Sequence, residues 1–238
     1  VAYNMEEFKK LLEEKVHLGK KETAVKNLVT ALALCHNVTP VTDEVGQKSY
    51  QASSPDEVAL VKFAEKVGLE LVERRQDYMV LKLPSGEFDY YTIHNVFPFS
   101  SETKRMGILV QNRKTGKVSF FLKGAEDVMQ TKVSQQEAVR LTEECENLGR
   151  EGLRTLIVAY KELSLQELEV WKKKHDLASK SFGEREKEVS KVVESLEENL
   201  SSLGVTGVED KLQHDVPQTI ENMRNAGMSV WILTGDKV

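Results

Sequence analysis

Cysteine is scarce: Cys35 and Cys145 are the two in the chain, far apart and without metal-ligand spacing. That argues against a disulfide-stapled scaffold and fits a reducing, cytosolic setting with two buried or indifferent thiols. An excess of one charge is also missing, since 33 Lys and Arg are interspersed with 38 Asp and Glu, for a formal net charge of −5. Without a basic face, nucleic acid is not the expected partner. No apolar run approaches the roughly 18 residues needed to cross a bilayer, and no signal peptide precedes the first helix, so a soluble piece is expected. Internal repeats and low-complexity segments are absent as well.

What is present is enough apolar residue, 40% of 238, to bury a core in one large domain or two small ones. Residues 1–21 are charged and weakly periodic and read as a linker with some helix. Val25, Leu28, Val29 and Leu32 recur at helical spacing over 22–36. Asn37 to Gln51, polar and holding Pro40 and Gly46, reads as a loop. Ser54-Pro55-Asp56-Glu57 has serine at N-cap, proline at N1 and glutamate at N3, a capping box opening a helix through Val67. The period then switches to two, over Phe88–Val96, Met106–Val110 and Val118–Leu122, with a Thr115-Gly116 hairpin turn between the last two runs. Residues 125–149 read as helix, Thr155–Tyr160 as strand, and the charged Ser164–Leu200 stretch as a solvated helical pair opened by a capping box at Ser164 and Glu167. Leu203–Val208, Asp215–Ala226 and Ser229–Leu233 spell strand, helix and strand, with Gly227 at the helix end. That pattern predicts a parallel βαβ unit and a domain boundary near 201–207. The expected fold class is α+β, an antiparallel sheet flanked by helices, followed by a partial α/β segment of haloacid-dehalogenase type.

Four places carry residue types suited to an anionic, aromatic ligand. Phe99 lies at a strand end beside Ser100, Lys104 and Arg105, where it either stacks on a nucleobase or packs into the core. Lys123, followed by Gly124 and Ala125 at a helix start, offers a point charge beside free backbone N–H groups, or is an exposed lysine at a strand end. Arg150 to Thr155 sets an arginine at the mouth of the next strand, for phosphate or for a surface ion pair. Thr234-Gly235-Asp236 follows the last strand, either as a plain turn or as a phosphate and Mg²⁺ approach.

In their order along the chain, these segments resemble P-type ATPases. The resemblance rests on Ser53 to Val61, Phe99 with Lys104-Arg105-Met106, Lys123-Gly124-Ala125, Arg150 to Leu156, and Leu233 to Lys237. The Ser-Pro-Asp-Glu form of the first motif resembles the type IV branch, the phospholipid flippases. Ala33 to Val38 and Phe97-Pro98-Phe99 are similar to its endosomal and Golgi-associated subgroup. The resemblance implies a cytosolic nucleotide-binding domain (22–202) of a multi-pass membrane protein, with 203–238 as the start of the second half of the phosphorylation domain. It further implies ATP as ligand, with Phe99 stacked on adenine, Glu57 near its amino group unless spent on the cap, and Lys123 lining the pocket and reaching toward the phosphates. Ser100 and Lys104 would lie close by, and Arg154 would meet the β-phosphate. Thr234, Gly235, Asp236 and, in the preceding loop, Asp210 would touch nucleotide only on domain closure. The implied partners are the phosphorylation and actuator domains of the same polypeptide and a phospholipid handled by membrane segments. An Asp-Lys-Thr-Gly stretch is missing, so this piece is expected to supply ATP and to be inactive alone, with its Mg²⁺ ligands mostly elsewhere.

A haloacid-dehalogenase-type phosphatase is the competing enzyme, suggested by the βαβ end, but residues 1–22 lack the early nucleophilic aspartate it needs. A cation pump would share the same motifs, and a non-catalytic interaction module would use the charged 164–200 helices instead.

Overall fold

A computed structural model of the chain describes residues 5–13, 19–181, 183–211 and 213–233. Helix α1 (Met5–Glu13) falls in the stretch expected as linker, and its Leu12 is buried in the core. Helix α2 (Lys20–Leu34) matches the periodic segment.

The Asn37 to Gln51 stretch, expected as a loop, contains a hairpin of β1 (Thr39–Thr42) and β2 (Lys48–Gln51). Asp43 shapes its turn by accepting from the N–H groups of Val45 and Gln47 at 3.0 and 2.7 Å, while Gly46 supplies a φ of 82°. Strands this short and polar carry too weak an alternation to be seen in the letters.

Helix α3 (Pro55–Lys66) follows, then β3 (Glu70–Arg74), β4 (Tyr78–Lys82), β5 (Phe88–Phe97), β6 (Arg105–Asn112) and β7 (Val118–Gly124). Short α4 (Glu126–Met129) and long α5 (Gln135–Arg150) lead to β8 (Leu153–Leu163). The helices α6 (Leu165–Ser179) and α7 (Arg185–Glu194) lead on to β9 (Ser201–Glu209) and α8 (Val216–Asn225). Strands β3 to β9 form one sheet in sequential order, antiparallel throughout.

Side-chain alternation divides the core into two layers. Met106, Ile108, Phe121 and Val158 face α2 and α3, whereas Leu109, Phe120, Leu122 and Ile157 face α4, α5 and α6. With both faces covered, β7 is buried along its whole length, which makes the polar Lys123 near its end conspicuous.

The parallel βαβ unit expected over Leu203–Val208, Asp215–Ala226 and Ser229–Leu233 is not formed among the described residues, and its first segment lies in the antiparallel sheet instead. β9 pairs with β8 in antiparallel register, Arg154 opposite Val208 and Tyr160 opposite Ser201. Helices α6 and α7 separate β8 from β9, so the chain travels out along β8, returns, and re-enters at the end of β8 it left. Ser229–Leu233 forms no strand among the described residues, and Trp231, Ile232 and Leu233 are exposed. A strand exists through its ladder partners, which sequence pattern alone cannot supply. The helix between them is present, and Gly227 ends it at φ 77°, with Met228 N–H reaching Met223 O at 3.0 Å.

Candidate functional site

Residues 98–104 connect β5 to β6. Ser100 Oγ lies 2.8 Å from Thr103 Oγ1 and accepts from Thr103 N–H at 3.0 Å, and Lys104 N–H closes on Ser100 O at 2.8 Å. Lys104 takes left-handed backbone, φ 49°, a conformation costing a non-glycine residue about 1–2 kcal/mol. This closed turn presents Phe99 60% exposed, so the core alternative for that ring is set aside.

The same loop is tied to β7. Lys104 O accepts from Ala125 N–H at 3.1 Å, and Gly124 stands opposite Arg105. A Cβ on Gly124 would meet Lys104 O at 2.9 Å and Arg105 Cβ at 2.8 Å, so glycine is what permits this approach. Lys104 Nζ then pairs with Asp127 at 2.8 Å, in the first turn of α4, and that hydrogen bond holds the Asp127 carboxyl below its usual range.

Lys123 departs from expectation. Read as an exposed lysine, it is 5% exposed, and its ammonium donates to Glu57 Oε1 at 2.9 Å. Alternation along β7 turns Lys123 to the same face as Phe121, toward α2 and α3, and Glu57 sits in the first turn of α3. Glu57 Oε2 accepts from Asn37 N–H at 3.1 Å. The capping box expected at Ser54 is therefore absent: Ser54 is the N-cap residue, but its side chain makes no cap bond. The glutamate is drawn instead to a buried ammonium, a stronger partner than a neutral backbone donor.

Behind Glu57 lies a second layer, in which Arg74, outside every motif quoted above, meets the Ala33 to Val38 segment. His36 is fully buried; its Nε2–H donates to Ala33 O at 2.8 Å and its Nδ1 accepts from Val38 N–H at 3.0 Å. Burial, aided by the Arg74 charge, pushes its pKa down to about 3, so the ring is neutral. Arg74 Nη1 donates to His36 O and lies 3.1 Å from Nδ1, while Nη2 reaches Asn37 Oδ1 at 3.4 Å. Beside them the buried Cys35 thiol is pushed up to about 11 by desolvation, so it stays protonated, with Sγ 3.5 Å from Met106 O.

Arg154, at the start of β8, is half-exposed and bridges two acids, Asp56 at 3.6 Å and Asp210 at 2.6 Å. Asp210 thus meets an arginine of the expected site. Thr234, Gly235 and Asp236 lie outside the described residues. Among the described residues no cluster of three His, Cys, Asp or Glu side chains could hold a metal ion.

The chain thus has a seven-stranded antiparallel sheet, an exposed Phe99 on the β5–β6 loop, a buried Lys123–Glu57 pair and Arg154 bridging Asp56 and Asp210. The model of the P-type ATPase cytoplasmic domain N matches residues 24–215, and the chain belongs to that family. It is 52% identical over 219 residues to phospholipid-transporting ATPase neo1 of Schizosaccharomyces pombe, covering 91% of this chain and 20% of that protein. To probable phospholipid-transporting ATPase IIB of Mus musculus it is 46% identical over 232 residues, 90% of this chain and 20% of that one. The corresponding values for phospholipid-transporting ATPase NEO1 of Saccharomyces cerevisiae are 47% over 216 residues, 90% and 18%. The chain thus spans about a fifth of the length of these relatives.

Proposed function

We propose that this chain is the ATP-binding domain of a phospholipid-transporting P-type ATPase, of the endosomal and Golgi-associated kind, and that it presents ATP to an aspartate elsewhere in the polypeptide. Phe99 stacks on adenine, Glu57 accepts from the 6-amino group, and Lys123 forms the pocket wall and neutralises Glu57. Ser100 and Lys104 border the pocket, and Arg154 turns to the phosphates. Thr234, Gly235 and Asp236, as part of the phosphorylation domain, and Asp210 in its preceding loop approach nucleotide on domain closure, and the rest of that domain would cover Trp231 to Leu233. The boundary toward that domain is then best drawn after Glu209, where the antiparallel sheet ends. Mg²⁺ would arrive on the phosphates and find its protein ligands outside the described residues.

One observation carries this reading. A large ring stands free of the core on a loop whose far end is bonded beside Lys123, and Lys123 is buried against a carboxylate. A buried charged pair and an exposed aromatic brought together suit a heteroaromatic base with a hydrogen-bonding edge. The phosphatase alternative rested on the βαβ pattern and loses that support with the antiparallel β9.

Titration of the labelled chain with ATP should move the amide resonances of Phe99, Lys123 and Glu57 with a Kd of roughly 0.1 mM to a few mM. The same sample should release no phosphate from ATP. Silent resonances at those positions, or phosphate release abolished by a substitution within the chain, would contradict the proposal.

A further inference from the structure

Glu57 is held from two sides, and the second side leads to a residue outside the family motifs. Oε1 takes the Lys123 ammonium, and Oε2 takes the N–H of Asn37. Asn37 is the second residue beyond the α2 C-cap, Cys35, so nothing helical fixes its amide direction. Fixation comes instead from β3: the Arg74 guanidinium spans His36 O, His36 Nδ1 and Asn37 Oδ1. His36 is locked in turn by Ala33 O and Val38 N–H. The Arg74 fork therefore fixes the peptide whose amide aims at Glu57.

We infer that Arg74 is a positioning residue for base recognition, acting through the His36–Asn37 turn to hold the Glu57 carboxylate where it accepts from the 6-amino group of adenine. The inference rests on the proposed placement of adenine against Glu57. A carboxylate accepts and cannot donate, so Glu57 favours a 6-amino purine over a 6-oxo purine only while its lone pairs are aimed at the base edge. With Arg74 gone, the Asn37 amide is released and Glu57 swings on Lys123 alone. The purine is still stacked by Phe99, but its 6-substituent is no longer read. Arg74 touches neither base nor phosphate in this scheme, so its loss alters selectivity rather than binding as such.

The test compares ATP with inosine triphosphate, which carries a 6-oxo group in place of the 6-amino group and a proton on N1, against the parent chain, Arg74→Met, Arg74→Lys and Phe99→Ala by calorimetric titration. Arg74→Met should weaken ATP about fivefold, one hydrogen bond's worth, with inosine triphosphate little changed, so the ratio of the two affinities collapses. Arg74→Lys keeps a donor but loses the fork and should give an intermediate ratio, and it decides the matter if Arg74→Met does not fold. Phe99→Ala should weaken both nucleotides together and leave their ratio unchanged. A folded Arg74 variant that keeps the parent's ratio, while Phe99→Ala still weakens both, overturns the positioning role and leaves the site standing. If Phe99→Ala weakens neither, the site reading itself has failed.

Discussion

Lys123 and His36 are the residues whose surroundings most constrain what a substitution does. Lys123 and Glu57 are both largely out of water, and removal of one partner leaves the other charge uncompensated. Lys123→Ala should therefore lower stability by about 3 kcal/mol, while Glu57→Gln in the same chain should recover part of that loss. Chemical denaturation of the single and double variants reads both, and a single variant as stable as the parent would contradict the burial. His36 is neutral when folded, with a pKa near 3, against 6.5 in the unfolded chain. Between those values the unfolded state binds the extra proton, so stability falls as pH drops below about 6.5, by at most about 1.4 kcal/mol per unit. Above 6.5 this group contributes no pH dependence. Arg74 and Lys123 are the cations facing the ring. Melting curves from pH 7 to 4 should show a steeper decline in the parent than in His36→Gln, and parallel curves would contradict the buried neutral ring. At this scale Phe99, Lys123 and Arg154 were legible as motifs. Arg74 was not, because its partner His36 lies 38 positions away and only the fold joins them.

Capping separates what local sequence decides from what the tertiary structure decides. Ser134 and Ser164 each accept from the N–H three residues on, at 3.4 and 3.2 Å, while Glu137 and Glu167 reach back to the cap. Ser134→Ala and Ser164→Ala should each cost about 1 kcal/mol, whereas Ser54→Ala should cost a few tenths at most. Denaturation midpoints of the three variants check this, and a Ser54→Ala loss equal to the others would show a cap the structure lacks. The letters at Ser54 and Ser164 are alike, and only a buried lysine distant in sequence tells them apart. The central strands β5, β6 and β7 were legible from their period of two. Strands β3 and β4 and the β1–β2 hairpin were not, since runs of four or five residues are too short to establish a period of two. The larger miss was the sheet to which Leu203–Val208 belongs. The orientation of β9 depends on the paired helices α6 and α7 returning the chain, a long-range fact that a strand–helix–strand pattern does not contain.

As a whole the molecule is a sheet covered by helices on both faces, with its chemistry-bearing residues on segments the sheet fixes in place: the β5–β6 loop, the ends of β7 and β8, and the first turn of α3. Strand ends and a helix turn hold Lys123, Arg154 and Glu57, whereas Phe99 stands exposed on the β5–β6 loop. Because that ring stands outside the core, its removal should leave the fold intact, which makes it the cleanest probe of the central claim. The direct measurement is calorimetric titration of ATP and adenosine into the parent chain and Phe99→Ala, with melting temperatures recorded alongside. The account predicts an unchanged melting temperature and equal weakening of both ligands by about 1–3 kcal/mol, the value of an aromatic stack on a base. Undiminished ATP binding by a folded Phe99→Ala chain would contradict it.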